Sequence, residues 1–227
     1  MGRGAPPPRQ GPGGPPGEDR GRKMARRLRI QAEGRSVPAE GVDQLLAAYE
    51  LAMEPRRRNL EEDHDFRYLH PGRTVLILLE DVGLTDAGPL AAAALAESMD
   101  PELQVPTERV EEELGAEVAR LRDWIPVPRG RGAGGKGPSL LEEFLAAPEP
   151  LQKGALAERL DQLRHLHIRA RDQRQESGRG SGPAGEPPWG RVAREAREVY
   201  LPLAHRVDPV LHRRYAWWCR KVGAQFE

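Results

Sequence analysis

Two stretches, LAERLDQLRHL at residues 156–166 and RVAREAREVYLPLAHR at residues 191–206, decide how this sequence is read. The first falls inside a helix expected over residues 150–170. The second belongs to a long helix expected from about Trp189 to His205. A last helix follows over roughly Pro209 to Val222, and a shorter one precedes at residues 139–147. Between them lie Gly- and Pro-rich runs at 126–138 (PVPRGRGAGGKGP) and 176–188 (ESGRGSGPAGEPP), whose composition reads as flexible loops.

The N-terminal half reads the same way. From Pro38, the residues Val42, Leu45, Leu46, Tyr49 and Leu51 fall near helical spacing, and Pro55 is expected to end that helix. The charged connector RRRNLEEDHDFR leads to Tyr68-Leu69-His70-Pro71. The run TVLILLEDV, from Thr74 to Val82, is too apolar to classify by period, so a buried strand and a core helix both fit. Pro89 to Met99 is Ala/Leu-rich and favours helix. Thr107 is expected to cap the next helix through the amide three residues on, with acidic residues suiting its first turn. Leu114, Val118 and Leu121 form that helix's apolar stripe. Helices joined by Gly/Pro loops argue for an all-α fold.

Composition narrows the function classes. Lys+Arg and Asp+Glu both number 35, so the net charge is zero and nothing global draws the chain to nucleic acid or a membrane surface. Cys219 is the single cysteine, which excludes an internal disulfide framework and a cysteine zinc cage. No apolar run reaches the roughly 20 residues of a membrane helix, and the basic N-terminus has no apolar signal region. A cytoplasmic protein is expected. Residues 1–22 are more than half Pro and Gly and are expected to be disordered, and Met24 offers an alternative start. No P-loop, dinucleotide fingerprint or nucleophile elbow is present.

Three ordered segments resemble the HD hydrolase domain of the RelA/SpoT family of (p)ppGpp hydrolases, over about residues 39–206. Tyr68-Leu69-His70-Pro71 and the apolar run after it are similar to the family's Tyr-x-x-His-Pro and its following helix. Glu112-Glu113-Leu114-Gly115-Ala116-Glu117-Val118 resembles the family's Glu-Glu-x-[FL]-Gly-x-Glu-Val helix. Leu156 to Leu166 resembles Leu-Ala-Asp-Arg-Leu-His-Asn-x-Arg-x-Leu, and Arg191 to Arg206 resembles the later Tyr-x-Pro-Leu-Ala-His-Arg. The resemblance implies an HD-like helical bundle at residues 38–206, with residues 207–227 as a C-terminal helix packing on it. It also implies Mn²⁺-dependent removal of pyrophosphate from (p)ppGpp, with one His, a His-Asp pair and a later Asp as ligands. In such chemistry the cation acidifies a bound water and neutralises developing phosphate charge.

Carried over residue by residue, the metal positions are His70, Glu97 and Glu158, while Ala96 stands where the family has a ligand His. Each Asp→Glu change adds about 1.5 Å of reach, against a tolerance of about 0.2 Å in metal distances. Glu97 and Asp100 take the catalytic positions, and Pro101 breaks the family's acidic pair there. Arg57, Arg58, Arg159 and Gln162 are the nucleotide-binding candidates. The scaffold positions fit while the chemical ones depart. The expected protein is therefore a degenerate domain that binds a guanine nucleotide such as (p)ppGpp, or a protein partner. An active phosphohydrolase with a rearranged site, holding Mn²⁺ if the site survives, and a structural helical adaptor are the alternatives. No synthetase domain follows before Glu227.

The remaining polar residues have plainer readings. His64-Asp65 reads as a solvated loop, and His165 and His167, two apart on a helix, as a surface pair. His205 reads as a packing residue of the bundle. The segment Arg213 to Lys221 mixes bases and aromatics, and reads as a helix with its Trp face inward and its charges outside.

Overall fold

The structure, a computed structural model, describes residues 19–63, 65–98, 100–126, 140–176 and 188–225. It is all-α, with no strand among the described residues. None of the helices described is long and apolar enough to cross a membrane.

Helix α1 (Arg20–Gly34) buries Met24, Leu28 and Ala32, spaced four apart on one face. Its start corrects the expectation of a disordered run through residue 22. The Asp19 carboxylate accepts from the Gly21 amide at 2.7 Å, and the Tyr49 hydroxyl donates to the Gly21 carbonyl at 3.2 Å. Those bonds offset the entropy of ordering the segment. Residues 1–18 lie outside the described residues, as do most of the two expected Gly/Pro loops.

Helix α2 (Ala39–Asn59) passes through Pro55 instead of ending there. An interior proline costs a helix about 3 kcal/mol, so another interaction must hold the last turn. That anchor is Arg56, a fully buried guanidinium whose Nη1 donates to the Ala52 carbonyl at 2.8 Å and whose Nε donates to the Arg67 carbonyl at 3.2 Å.

The ambiguous apolar run is helical. Helix α3 (His70–Leu76) continues into a π-helical segment, Ile77–Val82, which buries Ile77, Leu78 and Leu79. Gly83 ends it at φ +74°, where a side chain would be strained. Helix α4 (Ala87–Leu95) is shorter than expected, because Ala96 already has extended backbone. From Pro89 to Leu95 every residue of α4 is buried, so it runs through the middle of the core and lies against α2. A Cβ on Gly41 would come within 2.7 Å of the Ala87 Cβ, so that approach requires glycine.

Gly115, at φ +89°, splits the expected acidic helix into α5 (Thr107–Leu114) and α6 (Ala116–Trp124). Thr107 does not cap α5. Pro106 holds the cap position without a side-chain bond, and the Thr107 hydroxyl accepts from the Arg122 guanidinium. Helix α7 (Leu140–Ala146) leads to α8 (Glu149–Glu176), whose Leu156, Ala157, Leu160 and Leu163 enter the core.

The last helices close over α8. Helix α9 (Pro188–Glu195), a second π-helical segment (Ala196–Tyr200) and α10 (Leu201–Val207) follow one another without a break, with right-handed helical backbone at Glu195, Tyr200 and Leu201, so the long helix expected there is present with a π-helical stretch inside it. Helix α11 (Pro209–Lys221) is capped by Asp208, which accepts from the Val210 and Leu211 amides at 2.8 and 3.0 Å. Two side chains tie it to α8. The Tyr215 hydroxyl donates to the Leu156 carbonyl at 2.7 Å, and the Trp218 indole donates to the Leu163 carbonyl at 2.8 Å. The expectation of an inward Trp face holds for Trp218 but not for Trp217, which is 53% exposed.

Candidate functional site

His70 opens α3, and the residue after it, Pro71, suits the first turn of a helix. Burial in the core turns its ring toward α8. There Nδ1 lies 2.8 Å from Asp161 Oδ2, and Nε2 lies 3.7 Å from Glu158 Oε1. Glu158 and Asp161 are three apart on α8, so they share one face. One turn after His70, Arg73 reaches the same carboxylate, its Nε 2.9 Å from Asp161 Oδ1 and its Nη2 3.0 Å from Oδ2.

A polar rim completes the cluster. The extended backbone after α4 carries Ser98, whose hydroxyl donates to Glu158 Oε1 at 2.7 Å. The Gln162 amide donates to both the Ser98 oxygen, at 2.9 Å, and Glu158 Oε1. Arg159 donates to Gln162 Oε1 at 3.0 Å and to Glu195 at 2.9 Å, and its guanidinium lies 5.4 Å from the Tyr200 ring centroid. Glu158 and Asp161 are fully buried.

The electrostatics follow from that burial. Desolvation alone would lower the His70 pKa, but the Asp161 and Glu158 carboxylates more than reverse it and push it up to about 9. Desolvation would likewise raise Asp161, yet His70 and Arg73 hold it well below the usual carboxylate range. At neutral pH the cluster therefore contains an imidazolium whose Nδ1–H donates to a carboxylate. Two of its buried atoms, His70 Nε2 and Glu158 Oε2, have no hydrogen-bond partner.

The sequence candidates are divided by the fold. His70 and Glu158 are brought together. Glu97 is not: its carboxylate is in a buried ion pair with Arg56, and its other oxygen accepts from the Asp100 amide at 3.1 Å. Asp100 pairs with Arg67 at 2.7 Å and accepts from the Glu102 amide at 3.0 Å. Arg57 pairs with Glu50 at 2.7 Å, and Arg58 is exposed. Arg159 and Gln162 are buried beside Glu158, as structural support rather than as an open surface. His205 is exposed, edge-on to His212 with ring centroids 4.6 Å apart, which corrects its expected packing role. His165 is partly buried, stacked on Phe66 at 5.5 Å, rather than a surface residue. The side chains of His64 and His167 lie outside the described residues.

Sequence reasoning missed Asp161, Arg73, Ser98 and Arg56. Asp161 did carry a signal, since it stands where the resembled motif Leu-Ala-Asp-Arg-Leu-His-Asn has its His. Arg73 lies three residues beyond His70, on the same helical face.

Among the described residues, no group of three or more His, Cys, Asp or Glu side chains is arranged to hold a metal ion. The unpartnered Nε2 and Oε2 amount to two donor atoms. Ala96 offers none and Glu97 is committed to Arg56, so the residues present do not reproduce the ligand set that the resemblance implies.

Protein-family models were compared with this chain and none matches, and a comparison with curated proteins likewise finds no match.

Proposed function

We propose that this chain is an HD-like helical domain that has lost metal-dependent hydrolysis and acts by binding, to a guanine nucleotide such as (p)ppGpp or to a protein partner. The observation that carries the reading is the internal ion pair at the position of the resembled metal site. His70 is the one ligand type retained there, and Asp161 holds its ring as an imidazolium. A divalent cation binds only neutral imidazole, so it would have to displace that proton inside a buried cluster. Arg73 adds a second positive charge against the same carboxylate. The protein's own cations occupy the electrostatic role that Mn²⁺ has in the resembled family.

The test is metal analysis of the full chain after loading with Mn²⁺ and desalting, joined to a (p)ppGpp turnover assay in the presence of Mn²⁺. The expected result is metal well below one equivalent and no release of pyrophosphate. Stoichiometric Mn²⁺ together with turnover would sink the reading.

A second reading, an active phosphohydrolase with a rearranged site, rests on one specific observation. His70 Nε2 and Glu158 Oε2 are buried without partners, and Nδ1–H donated to Asp161 is the arrangement that orients metal-bound histidines elsewhere. That reading expects His70→Ala to abolish phosphoester turnover while the domain stays folded. It fails if no phosphoester is turned over with Mn²⁺, Zn²⁺, Fe²⁺ or Mg²⁺.

A further inference from the structure

Helices α3, α8 and α11 line a cleft of about 820 Å³ that includes Arg73 but not His70. That volume is within the range of small-molecule sites, about 300–1,000 Å³. Its polar lining is Arg73, Arg164, His165, Arg213 and Arg214, with Trp217 beside them. Leu160, Val210 and Trp218 add its apolar surface.

The guanidiniums fall into two kinds. Arg73 is fixed by Asp161 and by the Phe66 carbonyl at 2.6 Å, and Arg214 is fixed by Asp81. Arg164 and Arg213 are exposed, and neither has an acidic partner among the described residues. Among the described residues, four guanidiniums against two paired carboxylates leave the cleft with two uncompensated positive charges. Guanidinium forks suit phosphate oxygens in particular.

The apolar side is equally specific. Arg213 and Trp217 are four residues apart on α11, so they share one face. Tyr215 and Trp218 satisfy the packing of α11 on α8 through the two carbonyl bonds described above, so Trp217 is not needed for it. An exposed indole beside unpaired guanidiniums offers a stacking surface next to anion donors, the pairing that nucleotides meet in proteins.

We propose that this cleft binds a phosphorylated ligand carrying an aromatic ring, of nucleotide size, with its phosphates on Arg164 and Arg213 and its ring against Trp217. The inference rests on the binding reading above and gives that reading a place that borders the buried His70 cluster through Arg73.

The test is calorimetric titration of the full chain with GDP, ADP and inorganic pyrophosphate, in EDTA. Both nucleotides are expected to bind, pyrophosphate more weakly because it has no ring, and added salt should weaken all three. Arg213→Ala and Trp217→Ala should each weaken GDP binding about tenfold, the loss of one phosphate or stacking contact. Arg220→Ala, exposed on α11 but outside the cleft, should leave it unchanged. Both variants of the cleft alter exposed side chains, and circular dichroism checks that they fold. The proposal is overturned if neither nucleotide binds at about 1 mM, or if the two cleft variants bind GDP as the parent does. It is also overturned if oligonucleotides bind with affinity that grows with their length and exceeds that of GDP, since the face would then be a nucleic-acid surface. Because EDTA removes divalent metal, failure here is separate from the outcome of the Mn²⁺ turnover assay.

Discussion

Among the described residues, the core holds two buried charge clusters, and they are finished differently. Around Arg56 and Glu97, the guanidinium donates to Glu97 and to the Ala52 and Arg67 carbonyls, while Glu97 accepts in addition from the Asp100 amide. Around His70, the geometry is as close, yet Nε2 and Glu158 Oε2 face each other's neighbourhood without a hydrogen-bond partner. A cluster with every charged group satisfied holds helices together, as Arg56 holds the last turn of α2. A cluster with unsatisfied buried atoms costs stability, and such cost is tolerated where a site needs the geometry or once did.

The comparison is broken most severely on the Arg56 side. Arg56→Met leaves Glu97 buried without the guanidinium that balances its charge, and the penalty for such a change is about 3–5 kcal/mol. The double change Arg56→Met with Glu97→Leu should recover most of it, because an apolar pair of similar volume needs no hydration to be replaced. Urea unfolding of both variants measures the difference. If the single change costs less than about 1 kcal/mol, the pair is not the anchor described here.

Asp161→Asn comes next. It removes the carboxylate shared by His70 and Arg73, so Arg73 loses its anion and His70 keeps only Glu158 nearby. A loss of about 3 kcal/mol is expected. The His70 imidazole should also titrate well below its present value, and NMR of the ring protons reads that directly. An unchanged titration would mean that Glu158, not Asp161, holds the proton on His70.

These two clusters also mark what the sequence made legible. The helices were readable wherever one apolar stripe repeats, as at Val42, Leu45 and Tyr49. Reading failed where a distant partner overrides a local rule. Pro55 was expected to end α2, but Arg56 reaches Glu97, 41 residues away, and no local pattern encodes that. Thr107 has the chemistry of a cap, but Arg122 takes its hydroxyl. TVLILLEDV was ambiguous because a segment buried all round has no period. Of the candidate site, the resemblance names His70, Glu97 and Glu158 together, and the structure brings only His70 and Glu158 near each other, at 3.7 Å. The turning away of Glu97 was not legible, since it depends on which cation lies within reach.

A smaller effect is graded by pH. Folding raises the His70 pKa from the ordinary 6.5 to about 9, so the charged ring stabilises the fold fully below about pH 6.5. That contribution is lost as the pH rises through about 9, with a slope of at most about 1.4 kcal/mol per pH unit for one proton. The Arg56 cluster has no such group, so His70→Gln should flatten the alkaline slope. Urea midpoints between pH 6 and 10 check this, and an equal slope in the variant would place the titrating group elsewhere.

Glu158→Gln is the mildest change, and it sharpens the comparison most. The amide oxygen can still accept from Ser98 and Gln162, so the rim survives and the expected loss is about 1 kcal/mol. The charge facing His70 disappears, and the His70 pKa should fall, by less than in Asp161→Asn, because Nδ1 keeps its 2.8 Å contact. The unsatisfied Oε2 becomes an amide nitrogen, a donor, that can be turned toward solvent-poor surroundings only at a cost. If Glu158→Gln instead stabilises the protein, then Oε2 was a burden kept for a reason other than folding. A cluster finished like Arg56 and Glu97 has no such reserve: there, replacing Glu97 by Gln can only remove a charge that Arg56 needs.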